Sequence, residues 1–139
     1  MISIIKKALR PHINRYRTQK KIKQRRQEMR QQAQKAVETG DPVRLIIGAG
    51  GTDYPGWIKT DLPYLDVLKS SDWEAVIVPG TVDRVLAEHV FEHLTPDQFK
   101  QFLAIIRDYL KPDGFVRIAV PDGHHPNPDY IEQVRPGGS

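Results

Sequence analysis

Four small residues follow a short apolar segment near the middle of the chain. They are Gly48, Ala49, Gly50 and Gly51, directly after Val43–Ile47. Glycines in such a position let a ligand approach the backbone closely, beside N–H groups that can bind it. The spacing is not the dinucleotide fingerprint G-x-G-x-x-G, because Asp53 stands where its third glycine belongs, and no Gly-Lys-Ser/Thr follows as in a phosphate-binding loop. The cluster predicts either a ligand-binding loop or a tight turn without a ligand.

A carboxylate, Asp61, follows Gly50 at the end of a second predicted strand, Trp57–Asp61. A carboxylate at the end of a parallel strand can accept two hydrogen bonds from a ribose diol. Taken alone, Asp61 is more simply explained as a surface residue at a strand end. Together with the glycine cluster, it favours a ligand that contains ribose. The glycine spacing disfavours a nicotinamide-dependent enzyme.

Histidines form two further groups. His89, Glu92 and His93 match the zinc-peptidase pattern H-x-x-E-H, which needs one helix to carry both histidines and a further ligand elsewhere. Here the pattern directly follows a predicted strand, and Leu94-Thr95-Pro96 interrupts it, so we expect no metal site and a polar turn that faces a pocket. His124 and His125 lie in a predicted loop, where they are either solvated or on the substrate side.

Strands alternate with helices along the rest of the chain, which indicates an α/β fold with a parallel sheet. Thr95 and Gln98 form a capping box that predicts a helix from Pro96, and Pro112–Gly114 predicts a turn. Glu74–Val78 is ambiguous between helix and strand, and the chain from Pro121 onward is predicted as loop. The other predicted strands are Tyr64–Leu68, Val82–Ala87 and Phe115–Val120, and the predicted core of the helix is Phe99, Phe102, Leu103 and Ile106.

Charge divides the chain into two parts. Residues 1–40, the basic arm, hold 12 Lys/Arg against 2 Asp/Glu, a net charge of +10, whereas residues 41–139 carry −6. The arm is predicted to be helical, with a kink or a new helix at Pro11 and an end at Gly40. An apolar stripe at helical spacing lies in its first half: Ile2, Ile5, Leu9, Ile13 and Tyr16. We expect residues 1–38 to contact an anionic membrane surface or RNA, or the stripe to pack on the chain's own domain.

Composition excludes several classes. The chain has no cysteine, so it has no disulfide framework and no thiolate nucleophile. No apolar run approaches the ~20 residues of a transmembrane helix, and the amino terminus lacks the features of a signal peptide. These properties predict a cytoplasmic protein that can associate peripherally with a membrane.

Five motifs occur in order along the second part of the chain. They are LIIGAGG at 45–51, PGWIKTD at 55–61, EHVFEHL at 88–94, LKPDG at 110–114 and RIAVPD at 117–122. In this order and spacing the chain, from about Val43 to its end, resembles the class I S-adenosylmethionine-dependent methyltransferases. The resemblance implies a Rossmann-like, mostly parallel sheet, with residues 1–40 as a basic helical extension and 41–139 as the methyltransferase domain.

The resemblance also implies roles for individual residues. The glycine cluster would hold the methionine part of S-adenosylmethionine, and Asp61 would bind the ribose. Asp72 and Trp73 would face the adenine, and Glu88 would line the pocket near the reactive methyl group. His89, His93 and His124 are the candidate general bases, without a ranking among them. The methyl acceptor is not identified.

The family's sheet has about seven strands, and the sequence here stops after the fifth. The resemblance therefore implies a partial domain in which strand 115–120 is an open apolar edge, exposed unless a partner covers it. Two functions follow as alternatives. One is methyl transfer, and the other is a catalytically silent binding module that its basic arm docks to a membrane or to RNA.

Overall fold

The structure of the protein is a computed structural model. It describes residues 2–134, with side chains described from residue 14 onward. The helices are α1 (Ile2–Thr39), α2 (Ser70–Val76), α3 (Pro96–Tyr109) and α4 (Pro128–Val134). The strands are β1 (Val43–Ile47), β2 (Ile58–Lys59), β3 (Val82–Glu88) and β4 (Leu110–Ala119), and a 3₁₀ turn spans Phe91–His93.

The four strands form one parallel sheet in the order β2-β1-β3-β4. The prediction of an α/β fold with a parallel sheet is therefore confirmed. Because all four strands run the same way, their carboxyl ends meet at one edge of the sheet. The order also means that the chain moves outward from β1 to β2 and then returns to the other side of β1 as β3. This reversal creates a switch point between β1 and β3, where open α/β sheets bind ligands.

The predicted strand at Tyr64–Leu68 is wrong. The backbone N–H groups of Tyr64 and Leu65 donate to the Asp61 carbonyl, and those of Asp66 and Leu68 donate to aspartate carboxylates. These local hydrogen bonds use the donors that a ladder would need, and Pro63 has none to offer. Leu65 and Val67 are nevertheless buried, so their apolar spacing reflects burial of a loop.

The structure also gives the secondary structure of three other segments, one that was ambiguous in the sequence and two that differ from their prediction. The ambiguous segment Glu74–Val78 is helical as far as Val76, where α2 ends. The predicted turn at Pro112–Gly114 lies within β4 as an irregularity, since the register steps from Val82↔Leu110 to Arg84↔Phe115. The predicted loop after Pro121 contains α4, which has no buried residue.

One hydrophobic core joins α1, α2 and α3 to the sheet. Trp73 and Phe102 are its largest fully buried side chains, and Leu45, Val85 and Ala87 belong to the same cluster. The Thr95–Gln98 capping box and Pro96 at the start of α3 are confirmed. Phe102 and Ile106 are buried, but Leu103, also predicted as core, is 44% exposed. The apolar stripe of α3 is thus narrower than its sequence suggested.

Helix α1 is continuous across Pro11, so the prediction of a new helix there is wrong. It ends as predicted at Gly40, whose positive φ of 74° allows the Asp41 N–H to donate to the Ala36 carbonyl. Met29 and Ala33 are buried in the core, so the second half of the basic arm packs on the domain. Of the apolar stripe, only Tyr16 has a described side chain, and Ile2, Ile5, Leu9 and Ile13 precede the described side chains.

Strand β4 occupies one edge of the sheet and pairs, within the described part of the chain, only with β3. The open apolar edge expected for strand 115–120 is therefore present. Phe115 is 49% exposed, with the Arg84 guanidinium 4.8 Å from its ring centroid, and Ile118 is also exposed. A partner that covers this edge remains a prediction.

Asp83 couples β1 to β4 and gives the fold a pH dependence. Its carboxylate accepts hydrogen bonds from the Val43 N–H and from Lys111 Nζ, each at 2.8 Å. Burial raises the pKa of Asp83, but the hydrogen bond from Lys111, followed by that from Val43, outweighs burial and holds the pKa below its usual value. A lowered pKa stabilises the fold above the unfolded value of about 3.9, and this contribution is lost as the pH falls through the folded pKa.

We expect Lys111→Gln to lower the free energy of unfolding by about 1 kcal/mol at pH 7, since the lysine is partly exposed and solvent screens the pair. At pH values well below the folded pKa of Asp83 the effect should vanish, because the carboxyl is then neutral. Urea denaturation across this pH range measures both values. An effect independent of pH would show that Lys111 does not act through the Asp83 charge.

Candidate functional site

The loop after β1 places the glycine cluster at the carboxyl edge of the sheet. Gly48 and Gly50 have positive φ angles of 62° and 49°, which residues with a side chain rarely adopt. Ala49 is buried and its N–H donates to the Thr60 carbonyl, so the loop is tied to the segment after β2. A Cβ atom at Gly50 or Gly51 would meet nothing within 4 Å. The exposed backbone of these two glycines is therefore open to a ligand.

Asp61 lies beside this loop, as the sequence predicted. Its Oδ2 accepts a hydrogen bond from the Gly50 N–H at 2.9 Å, and its Oδ1 accepts one from the Leu62 N–H at 2.8 Å. A carboxylate offers about four acceptor positions, so about two remain for another donor. The structure thus brings the glycine loop and the carboxylate together, and it gives Asp61 the additional task of holding the loop.

Gly48 fits tightly against the segment after β3. A Cβ atom at this position would lie 2.5 Å from Cγ2 of Val90. We expect Gly48→Ala to destabilise the fold by about 2 kcal/mol, because it adds both a left-handed alanine and an overpacked contact. The matched control is Gly51→Ala, which has open space around it. Thermal and urea denaturation measure both, and Val90→Ala should recover only the steric part of the Gly48→Ala loss.

Glu88 ends β3 at the same edge of the sheet, and His89 follows it. Glu88 Oε1 accepts from Arg117 Nη1 at 2.8 Å, an ion pair to the neighbouring strand β4. His89 has a positive φ of 56°, and its N–H donates to the Ala119 carbonyl at 3.0 Å. A residue with a side chain in this conformation marks backbone strain held by its surroundings, a property common at functional sites. The His89 side chain is exposed to solvent.

The H-x-x-E-H pattern does not form a pair of histidines on one helix. His89 precedes the 3₁₀ turn, and His93 ends it. Glu92 Oε1 lies 3.6 Å from His89 Nδ1 and 4.0 Å from His93 Nε2, so one carboxylate faces both rings. In the described residues, no cluster of three or more His, Cys, Asp or Glu side chains has an arrangement suited to a metal ion.

Asp72 and Trp73 take part in the packing of α1 and α2. Asp72 is 6% exposed, and its Oδ1 receives Arg26 Nη2 at 2.7 Å while Oδ2 accepts from the Asp66 N–H at 3.0 Å. Trp73 is fully buried, and its Nε1 donates to the Val67 carbonyl. The polar atoms that the resemblance assigned to adenine are thus used within the protein.

His124 lies in the loop after β4, with its N–H donated to Asp122 Oδ1 at 2.9 Å and its side chain exposed. The neighbouring His125 ring lies 4.3 Å from the ring of Tyr130 in α4, measured between centroids. Tyr130 Oη accepts from the Asp122 N–H at 3.1 Å, so α4 orders this loop. Tyr130 is not among the sequence-predicted site residues, because the sequence predicts a loop from Pro121 onward.

A groove of about 530 Å³ lies near the amino ends of β1 and β2, whereas the glycine loop lies at the carboxyl end of β1. Its lining includes Gln32 and Lys35 of α1, Arg44 of β1 and Trp57 before β2. It contains none of the predicted site residues, so it is a separate feature from the candidate site.

In comparisons with known proteins, the chain matches no protein-family profile, no curated protein and no solved structure. Any assignment of function therefore depends on the residues of the chain and their geometry.

Proposed function

We propose that this protein binds S-adenosylmethionine at the glycine loop and transfers its methyl group to an acceptor not yet identified. The observation that carries the proposal is the 2.9 Å hydrogen bond between Gly50 N and Asp61 Oδ2. It joins the glycine loop, which follows β1 beside the switch point, to the carboxylate that follows the neighbouring strand β2. Ligands of open α/β folds bind at such a switch point.

The residues present fit most of this cofactor. The open space at Gly50 and Gly51 admits the close approach of its amino-acid part to the backbone. The remaining acceptor positions of Asp61 suit the two ribose hydroxyls. Asp72 and Trp73 are not part of the proposed site, because Arg26 and the core already engage them. The adenine therefore needs contacts other than those that the sequence resemblance suggested.

When bound, the cofactor supplies a methyl group on a sulfonium, which is reactive toward a nucleophile aligned with it. The protein's task is then to position the acceptor and to exclude water. A hydroxyl acceptor also needs a base to take its proton. His89 and His93 follow β3 at the edge that carries the glycine loop, and His124 lies in the loop after β4. The Glu92 carboxylate faces both His89 and His93, so it can stabilise whichever imidazole ring has accepted a proton.

Calorimetric titration of the protein with S-adenosylmethionine and with its demethylated product tests the proposal. We expect saturable one-to-one binding of both ligands, and no comparable binding of NAD, whose glycine fingerprint is absent. NAD binding in place of S-adenosylmethionine would favour a dehydrogenase, and the absence of any nucleoside binding would overturn the proposal.

Binding without turnover is the second candidate, because both oxygens of Asp61 already accept hydrogen bonds within the protein, from the Gly50 N–H and the Leu62 N–H. In this case the domain serves as a binding module that the basic arm docks to a partner. Incubation with methyl-labelled cofactor and separate lipid, RNA and protein fractions distinguishes the two. Label in one fraction that depends on the protein establishes an enzyme, whereas cofactor binding with no labelled fraction favours the module.

A further inference from the structure

A strongly basic segment of α1 is exposed to solvent. Every residue from 14 to 21 is exposed, and Tyr16 is 70% exposed. Five cationic side chains fall between residues 15 and 23: Arg15, Arg17, Lys20, Lys21 and Lys23. Among the described residues, none of these five has a carboxylate within ion-pair distance; the first acid of the helix is Glu28, which pairs with Arg25. This segment therefore presents positive charge with no internal partner.

The following part of α1 is fixed to the domain. Met29 and Ala33 are buried in the core. Arg26 donates from Nε to the Tyr64 carbonyl at 2.8 Å and from Nη2 to Asp72 at 2.7 Å. Arg30 donates to the Glu74 carbonyl at 2.7 Å. These contacts fix which side of the helix faces the domain.

On a helical projection, the sequence positions of the arm's apolar stripe fall on a different side. At 100° per residue, Tyr16 is roughly 120° around the helix from Ile22 and about 140° from Met29. The steps of 3, 4, 4 and 3 along the sequence place positions 2, 5, 9 and 13 on the side of Tyr16. Because α1 is one continuous helix, a helical projection puts the sequence positions of the stripe out of phase with the core-facing positions of its second half. This phase difference argues against packing of the stripe on the chain's own domain.

We propose that residues 2–23 of α1 bind an anionic lipid surface, with the apolar stripe toward the lipid and the cations at the headgroups. An apolar stripe flanked by lysine and arginine is the composition of an interfacial helix. On RNA the cations would meet phosphates, but the stripe would have no role, and Tyr16 is the arm's only aromatic residue for stacking on bases. None of the helices in the described residues is both long and apolar enough to cross a bilayer. The helix would therefore lie on the surface, with the domain attached through Met29 and Ala33.

Co-sedimentation with phosphatidylcholine vesicles that contain increasing phosphatidylglycerol tests this surface. Binding should rise with the anionic fraction and fall with added salt, because screening shortens the reach of the charges. The charge variant Arg17→Gln/Lys20→Gln/Lys23→Gln should bind roughly 100-fold more weakly, since each of the three cations near an anionic leaflet contributes about a fivefold step. Among the described residues these side chains have no ion-pair partner, so the melting temperature of the protein should not change.

The matched control removes the same charge from the globular part: Lys69→Gln/Lys100→Gln/Arg107→Gln, all exposed. It should retain vesicle binding within about threefold, because these cations lie outside the proposed surface. A second variant, Leu9→Gln/Ile13→Gln, should lose the binding that persists at high salt. If the charge variant and the control lose vesicle binding equally, the binding depends on net charge alone and the proposal is overturned. Binding to structured RNA without binding to anionic vesicles would assign the surface to nucleic acid and also overturn it.

Discussion

Asp72→Ala is expected to destabilise the protein by about 3 kcal/mol, the lower end of the effect of breaking a buried ion pair. The carboxylate is almost fully buried and receives Arg26 from α1 and the Asp66 N–H from the preceding loop. Its removal leaves both donors without this acceptor in a region that water reaches poorly. The Arg26 side chain is partly exposed, so it recovers some hydration, which places the effect at the lower end of the range.

Urea denaturation of Asp72→Ala, Arg26→Met and the double variant measures the coupling between the two side chains. We expect the double variant to lose clearly less than the sum of the single variants. The surface pair Lys100–Asp97 is the matched control, and Asp97→Ala should change stability by less than about 0.5 kcal/mol. A stable Asp72→Ala protein with weakened cofactor binding would reinstate the adenine role that the sequence resemblance implied.

Local sequence signals predicted the elements that depend on local physics. The capping box at Thr95 and the left-handed stop at Gly40 require only neighbours a few residues away, and both occur as predicted. The predicted strand at residues 64–68 is wrong because alternating apolar residues indicate burial, and a buried loop produces the same spacing as a strand. The prediction of Leu103 as a core residue is wrong because the width of a helix's buried face depends on how closely the neighbouring elements pack against it.

The residues of the candidate site also fall into two groups, those that the sequence predicts and those that depend on distant contacts. The glycine loop and Asp61 are each recognisable from residue type and position, and their contact follows from two adjacent parallel strands. Arg26 could not be assigned, because its partner Tyr64 is 38 positions away and the basic arm gives it many similar neighbours. The role of Asp72 depends on the same contact. The left-handed backbone at His89 could not be predicted, because histidine adopts a positive φ more often than most residues but still does so at only a small minority of positions.

Asp61→Ala is expected to weaken S-adenosylmethionine binding by about 100-fold, an effect on the scale of one or two charge-assisted hydrogen bonds to the ribose. The structure adds a second consequence. Loss of the acceptor for the Gly50 N–H should lower the free energy of unfolding by about 1 kcal/mol. Calorimetric titration gives the first quantity and urea denaturation gives the second. Asp61→Asn keeps one acceptor oxygen but places an amide group near two N–H donors, so it should weaken binding to a similar extent.

Asp53 provides the matched control in the same loop. Its carboxylate is largely exposed and lies 4.0 Å from Lys59 Nζ, outside hydrogen-bond distance. Asp53→Ala should leave both cofactor affinity and stability within about 0.5 kcal/mol of the parent protein. If Asp61→Ala lowers stability while affinity is unchanged, Asp61 only holds the glycine loop and the ribose assignment is wrong. If affinity falls while stability is unchanged, the ribose contact stands and the Gly50 N–H finds another acceptor, so the two tasks of this carboxylate are separable by experiment.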